Sequence, residues 1–303
     1  MRNNMMKDYG FIHSFVKSLK TATNDLNTLS IEDYAVLSGF ALRINVHKDL
    51  CPSAMSVFDW NLLQRGAENI GFEVEVISRL WHEEQLEVER REKAYHVIEN
   101  SLNKDRPVIV WDLSVPEWEV ITESNDTHYK GISITGQDVQ LIKEKLGRRE
   151  IPILHIMSIK NWTPVNEEES YKKILNVIIN HNEENESLPD SDYKEGYKAY
   201  DLWINKMSEI KEDDWESRYY LETYGAMRKL ADTFFKNLAR THSKWHKISF
   251  LYSELADTYQ NMINLRNNIE YPNNIPLIQN LLKNAKAHEK AIYKEAKLIV
   301  QTI

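Results

Sequence analysis

A change of residue pattern around Asn161-Trp162-Thr163-Pro164 limits this chain's architecture more than any other feature. Beyond it, apolar residues recur at helical spacing only. Tyr220, Tyr224, Met227, Ala231, Phe234 and Leu238 form one stripe; Trp245, Ile248, Tyr252, Leu255, Tyr259 and Met262 form a second; Ile278, Leu281, Ala285, Ile292, Ala296 and Ile299 form a third. Each stripe needs a partner to leave water, so an antiparallel bundle is the simplest solution. The spacing predicts a helix over 167–182 and four more beginning near Tyr193, Asp214, Ser243 and Pro276. Asp213 or Asp214 and Ser243 are residues that cap helix starts, and Pro276 suits a first turn. The polar stretch 183–192, with Pro189, breaks the helical pattern, and the acidic run Asn182-Glu183-Glu184-Asn185-Glu186 reads as a solvated connector.

Before the change, helical stripes and strand-like runs mix. Helices are predicted over 11–20, 60–70 and 83–102, the second stopped by Gly71. Strands are predicted over 72–76, 107–111, 118–122, 130–135 and 151–157. The turn-forming Glu123-Ser124-Asn125-Asp126 makes the third and fourth of these an antiparallel hairpin. Helix-rich first and strand-rich afterwards is an α+β pattern. We therefore expect an α+β domain over 1–162 and a helical domain over 163–303.

Composition removes several classes of function. With 38 basic and 46 acidic residues the formal charge is −8, which disfavours a partner held through phosphates, so nucleic acid is not expected. No apolar run approaches a membrane span, and the start lacks the apolar core of a secretory signal. A cytoplasmic protein is expected. The single cysteine, Cys51, rules out an internal disulfide and multi-cysteine zinc frameworks. Neither glycine-rich phosphate fingerprint occurs, and no cofactor is expected. His242 and His246 share a helix face but have no third ligand in view, so no metal site is expected.

Three groups of residues could carry chemistry. Cys51 is a nucleophile if a base such as His47, His96 or His128 reaches it, although a lone cysteine is more often a small buried hydrophobe. Glu117 and Glu119, two apart on a strand, would share a face and could hold a proton or a cation. Tyr197, Tyr200, Trp203, Trp215, Tyr219 and Tyr220 could line a ligand cleft, though aromatic stripes at helical spacing are usually core.

Ser38-Gly39-Phe40-Ala41-Leu42-Arg43-Ile44, then Arg106-Pro107-Val108-Ile109-Val110-Trp111-Asp112 and Glu117-Trp118-Glu119-Val120-Ile121, resemble the butirosin biosynthesis protein H N-terminal family. Gly196-Tyr197-Lys198-Ala199-Tyr200-Asp201-Leu202-Trp203 resembles a recurrent element of the helical half of such chains. The resemblance implies a papain-like domain used in secondary metabolism, with a nucleophilic cysteine at the start of the N-terminal helix. It implies a histidine on the strand over 118–122 and an acidic residue near Asp126. Here the helix start reads Tyr9-Gly10-Phe11-Ile12-His13-Ser14, and the strand carries Glu117, Trp118 and Glu119 without a histidine.

The resulting expectation is a catalytically degenerate papain-like protein. It would bind a small amine-bearing metabolite or peptide in the former cleft, lined by Arg43, Glu117, Trp118, Glu119 and Asp126. Two alternatives stand beside it. One is a cysteine-dependent acyltransferase or amide hydrolase using Cys51 and His47, with an acyl carrier protein as partner. The other is an interaction protein that dimerises through its helical half.

Overall fold

The computed structural model describes residues 6, 8–186 and 192–302. In chain order the helices are α1 (Ser14–Thr23), α2 (Ile31–Leu37), α3 (Asn61–Ile70), α4 (Glu87–Leu102), α5 (Glu167–Asn182), α6 (Ala199–Met207), α7 (Trp215–Thr241), α8 (His246–Arg266) and α9 (Ile275–Val300). The strands are β1 (Asn45–His47), β2 (Phe72–Arg79), β3 (Val108–Trp111), β4 (Trp118–Ser124), β5 (His128–Ile132), β6 (Asp138–Ile142), β7 (Leu154–Trp162) and β8 (Tyr193–Glu195). The class is α+β, and every strand pairing among the described residues is antiparallel.

Contacts divide the chain into two units, and neither is one continuous stretch. The first comprises 1–10, 14–34 and 63–165, and the second 11–13, 35–62 and 166–303. The division at 165/166 lies beyond the boundary expected at 162, and 35–62 falls in the helical unit. Hydrogen bonding explains that assignment. β1 pairs with β8, while Arg228 on α7 donates to the carbonyls of Ala41 and Arg43 at 2.7 and 3.0 Å.

The first unit is built on a six-stranded sheet in the order β2-β7-β3-β4-β5-β6. β3 and β4 are central, which is why 108–111 reads as an unbroken apolar run. Ala94, Val97 and Ile98 of α4 pack on one face against Val108, Val110, Ile121, Leu154 and Ile156. α1 covers the other face, with Phe15 edge-on to Trp118 at 5.9 Å. The β4–β5 hairpin forms where expected; β6 was unforeseen, its five residues being mostly exposed.

The close approach at Gly71 is a test of this packing. Its φ is +101°, and an added Cβ would lie 2.0 Å from the carbonyl oxygen of Thr163. Gly71→Ala is expected to cost at least about 2 kcal/mol through backbone strain and that clash. Urea denaturation of the variant measures it, and an unchanged midpoint would refute the packing described.

In the second unit α7, α8 and α9 run antiparallel in succession. Gly225 faces Tyr259 and Ile263, Phe235 stacks on Tyr252 at 4.7 Å, and Lys247 pairs with Glu295. Asp214 caps α7 by accepting from the Ser217 N–H at 2.7 Å. The residues of the three expected stripes are buried with two exceptions. Phe235 and Leu282 are fully buried, and the expected Phe234 and Leu281 are only half-buried. No described helix is long and apolar enough to cross a membrane.

Candidate functional site

Gly10, at φ +58°, turns the chain a few residues before α1, whose first residue is Ser14. Ser14, Lys17 and Ser18 are three and four residues apart and so share a face. That face meets the start of β4. The Ser14 hydroxyl donates to Glu117 Oε2 at 2.5 Å, and the Trp118 N–H donates to Ser14 Oγ at 3.3 Å. One turn on, the Ser18 hydroxyl donates to the Trp118 carbonyl at 2.7 Å. Lys17 Nζ donates to the carbonyls of Gly10 and Ile134, both at 2.8 Å. Ser14 is 8% and Lys17 5% exposed, and Glu117 is half-buried. Burial pushes the Lys17 ammonium down to about 8, with the nearby Glu117 opposing the shift.

Below this cluster lie the rings of Trp118 and Trp111, 4.9 Å apart, and His155 meets Trp118 edge-on at 5.1 Å. Burial pushes the His155 imidazole down to about 3, so it stays neutral at ordinary pH.

Glu117 and Glu119 do not act as a pair. β4 begins at Trp118, so strand alternation does not reach Glu117, which turns toward α1. Glu119 is fully buried on the sheet and accepts from the Ser114 N–H and hydroxyl, both at 2.6 Å. It closes the 112–117 loop. Its carboxyl is raised by burial, with the Ser114 bonds opposing. Arg149 braces the same loop by donating to the carbonyls of Leu113 and Ser114 at 2.8 and 2.9 Å. Trp118 is wholly buried and Asp126 lies exposed in the β4–β5 turn, so neither joins Glu117 in lining a surface.

The other expected residues lie in the second unit. Arg43 donates to Glu186 through Nε at 2.8 Å and Nη2 at 2.6 Å, which occupies its guanidinium. Cys51 Sγ accepts from the Ser53 hydroxyl at 2.9 Å. The His47 Nδ1 accepts from the Asp49 N–H at 3.1 Å, and its ring packs on Tyr193 at 4.8 Å. No hydrogen bond joins this thiol to this imidazole among the described residues. His96 and His128 belong to the first unit. Tyr200, Trp203 and Tyr220 are fully buried core of the bundle and line no cleft. The Tyr200 and Tyr259 hydroxyls lie 2.8 Å apart.

The second unit also contains a buried cluster that the sequence did not announce. His181, Glu186 and Glu195 bring their ligand atoms within 4.8 Å of one another, as in a three-ligand metal site. Their bonding argues against one. The Ile44 N–H donates to His181 Nε2 at 2.8 Å, which places the ring proton on Nδ1, 2.9 Å from Glu186. Arg43 already supplies the positive charge. Burial opposes ionisation of Glu186, but Arg43 and His181 hold its carboxyl well below the usual range. Glu195 is pushed up to about 7 by burial and by the nearby Glu186, with His181 opposing.

No protein-family model matches the chain, and no curated protein matches it. Lys17 is the residue of the Ser14 cluster that the sequence reading passed over. Its signal was present: a lysine three residues after a serine at the start of a predicted amphipathic helix.

Proposed function

We propose that this chain is a papain-like scaffold in which Ser14 and Glu117 stand where that architecture holds a thiol and an imidazole. On this reading the site binds an amine-bearing small molecule or peptide, with the Glu117 carboxylate receiving the amine. The observation that supports it is the 2.5 Å bond from the Ser14 hydroxyl at the head of α1 to Glu117 at the entry to β4. Those are the two places the sequence resemblance assigns to nucleophile and base. A half-buried carboxylate offers several acceptor sites on its two oxygens, so one that accepts the Ser14 hydroxyl can also receive an ammonium group. Thiol chemistry at this position is absent because residue 14 is serine.

Isothermal titration calorimetry with an aminoglycoside, spermidine and a lysine-containing tripeptide tests the reading. At least one of the three is expected to bind at neutral pH. Glu117→Gln should weaken that binding about 10- to 100-fold, the worth of a charge-assisted hydrogen bond. Absence of binding by all three, or binding unaffected by the substitution, would reject it.

A further inference from the structure

Arg91, Tyr95 and Glu99 are spaced four residues apart on α4 and so share a face. That face meets the start of β5 and the turn that follows β6. Lys143 Nζ donates to Glu99 Oε1 at 3.0 Å and lies 4.8 Å from the centre of the Tyr95 ring and 5.2 Å from that of Tyr129. The Lys143 N–H donates to the Thr127 carbonyl at 3.0 Å, which ties this turn to the β4–β5 hairpin. A cavity of about 290 Å³ opens between these elements, at the small end of the range for ligand pockets. Tyr129, Lys143, Arg91 and the buried Leu146 line it, and the exposed Glu92, Tyr95, Asp126 and Glu144 leave it open to solvent.

The donors along this cavity are under-used. Tyr129 is 1% exposed, and among the described residues its hydroxyl has no hydrogen-bond partner. Burial and the nearby Glu99 push the phenol up, with Arg91 opposing, so it stays a donor. A buried hydroxyl left unpaired is costly, and an acceptor on a ligand would satisfy it. An ammonium group has three N–H donors; among the described residues Glu99 is the one acceptor that Lys143 reaches. Arg91 Nε lies 3.0 Å from Glu87, but Arg148 already holds both oxygens of that carboxylate at 2.7 Å. Two guanidinium groups thus share one carboxylate, and the Arg91 Nη atoms have no acceptor among the described residues.

We propose that this cavity binds a free α-amino acid, its carboxylate received by Tyr129, Lys143 and Arg91 and its ammonium group by the acidic rim. The cavity lies across the sheet from Ser14 and shares no residue with that site, so the inference goes beyond the reading above. One phenol and two cations suit a carboxylate. Glu92, Asp126 and Glu144 would repel a ligand of purely negative charge, a phosphate above all, but attract one that carries an ammonium group beside its carboxylate. The Tyr95 ring and Leu146 offer apolar contact to a side chain, which favours an aromatic or aliphatic amino acid.

Isothermal titration calorimetry of the full chain with L-phenylalanine tests the proposal. Binding of one molecule per chain is expected at millimolar concentration or below. Tyr129→Phe removes a single hydroxyl and should weaken it about 10-fold, and Arg91→Gln should weaken it by about as much or more. Glu117→Gln should leave it unchanged. In the Glu117→Gln variant, phenylpropionate and phenethylamine, each lacking one of the two charged groups, should bind at least about 10-fold more weakly than phenylalanine. Either of them binding as tightly as phenylalanine would overturn the assignment. So would the absence of heat from L-phenylalanine, or an affinity that neither Tyr129→Phe nor Arg91→Gln alters. Phenylalanine binding lost in Glu117→Gln alone would place the ligand at the Ser14 site, rejecting this proposal while supporting the other.

Discussion

Glu289→Ala is expected to destabilise the helical unit by about 3–5 kcal/mol, the cost of stranding a buried guanidinium. Arg228 on α7 is fully buried and Glu289 on α9 is 2% exposed. Arg228 Nε donates to Glu289 Oε1 at 2.7 Å, with Nη2 2.6 Å from the same oxygen. Nη1 serves the Ala41 and Arg43 carbonyls, so the charge holds a non-helical segment as well as two helices. Arg228→Met alone should cost a comparable amount, since it leaves a buried carboxylate with no cation and, among the described residues, only the Tyr200 hydroxyl, at 3.4 Å, as donor, and takes the guanidinium from two carbonyls. Combining Arg228→Met with Glu289→Leu should recover much of the loss, because the attraction within such a pair mainly offsets the desolvation of its own members. Urea denaturation of the three variants gives the coupling. A double variant whose loss equals the sum of the singles would show that the two residues act independently.

Glu195→Gln should stabilise the protein at pH 8 by about 3 kcal/mol and leave it unchanged near pH 4. The native carboxyl is raised from about 4.5 to about 7, and each unit is worth about 1.4 kcal/mol. A raised pKa means the folded chain binds the proton more tightly than the unfolded one. That contribution is complete below about pH 4.5 and is lost as pH climbs through 7. Above that pH, Glu186 and Glu195 share one buried cluster as two carboxylates, with Arg43 bonded to Glu186 alone and His181 and Glu184 as the other titratable neighbours. Glutamine mimics the protonated acid throughout. The comparison must be wild type against variant at each pH. His13 and His155, pushed down by burial to about 4 and 3, stabilise above about pH 6.5 and lose that contribution as pH falls through their native values. Those terms cancel in the difference. A difference in unfolding free energy that stays flat from pH 4 to 8 would refute the assignment.

Much of the architecture could be read from periodicity. The pattern change near Trp162, the long stripes of α7 to α9 and the β4–β5 hairpin depend on local alternation, which a single sequence displays. α2, β1 and β8 escaped because they are short and are held by distant partners: β1 exists through β8, about 150 residues further along. The candidate site was legible by halves. Ser14 lies on α1 and Glu117 just ahead of β4, two elements whose positions were foreseen, yet their 103-residue separation hides the bond between them. Glu119 looked like a twin of Glu117 until the strand proved to start between them. Arg43 looked like a free cation until Glu186 was found against it, 143 residues away. Ionic partners at such separations leave no periodic trace.

The chain passes from one unit to the other at 10/11, 13/14, 34/35, 62/63 and 165/166. Splitting the gene at the apparent seam would therefore separate no self-sufficient halves. A fragment starting at 166 would carry Arg228 without the Ala41 and Arg43 carbonyls, and β8 without β1.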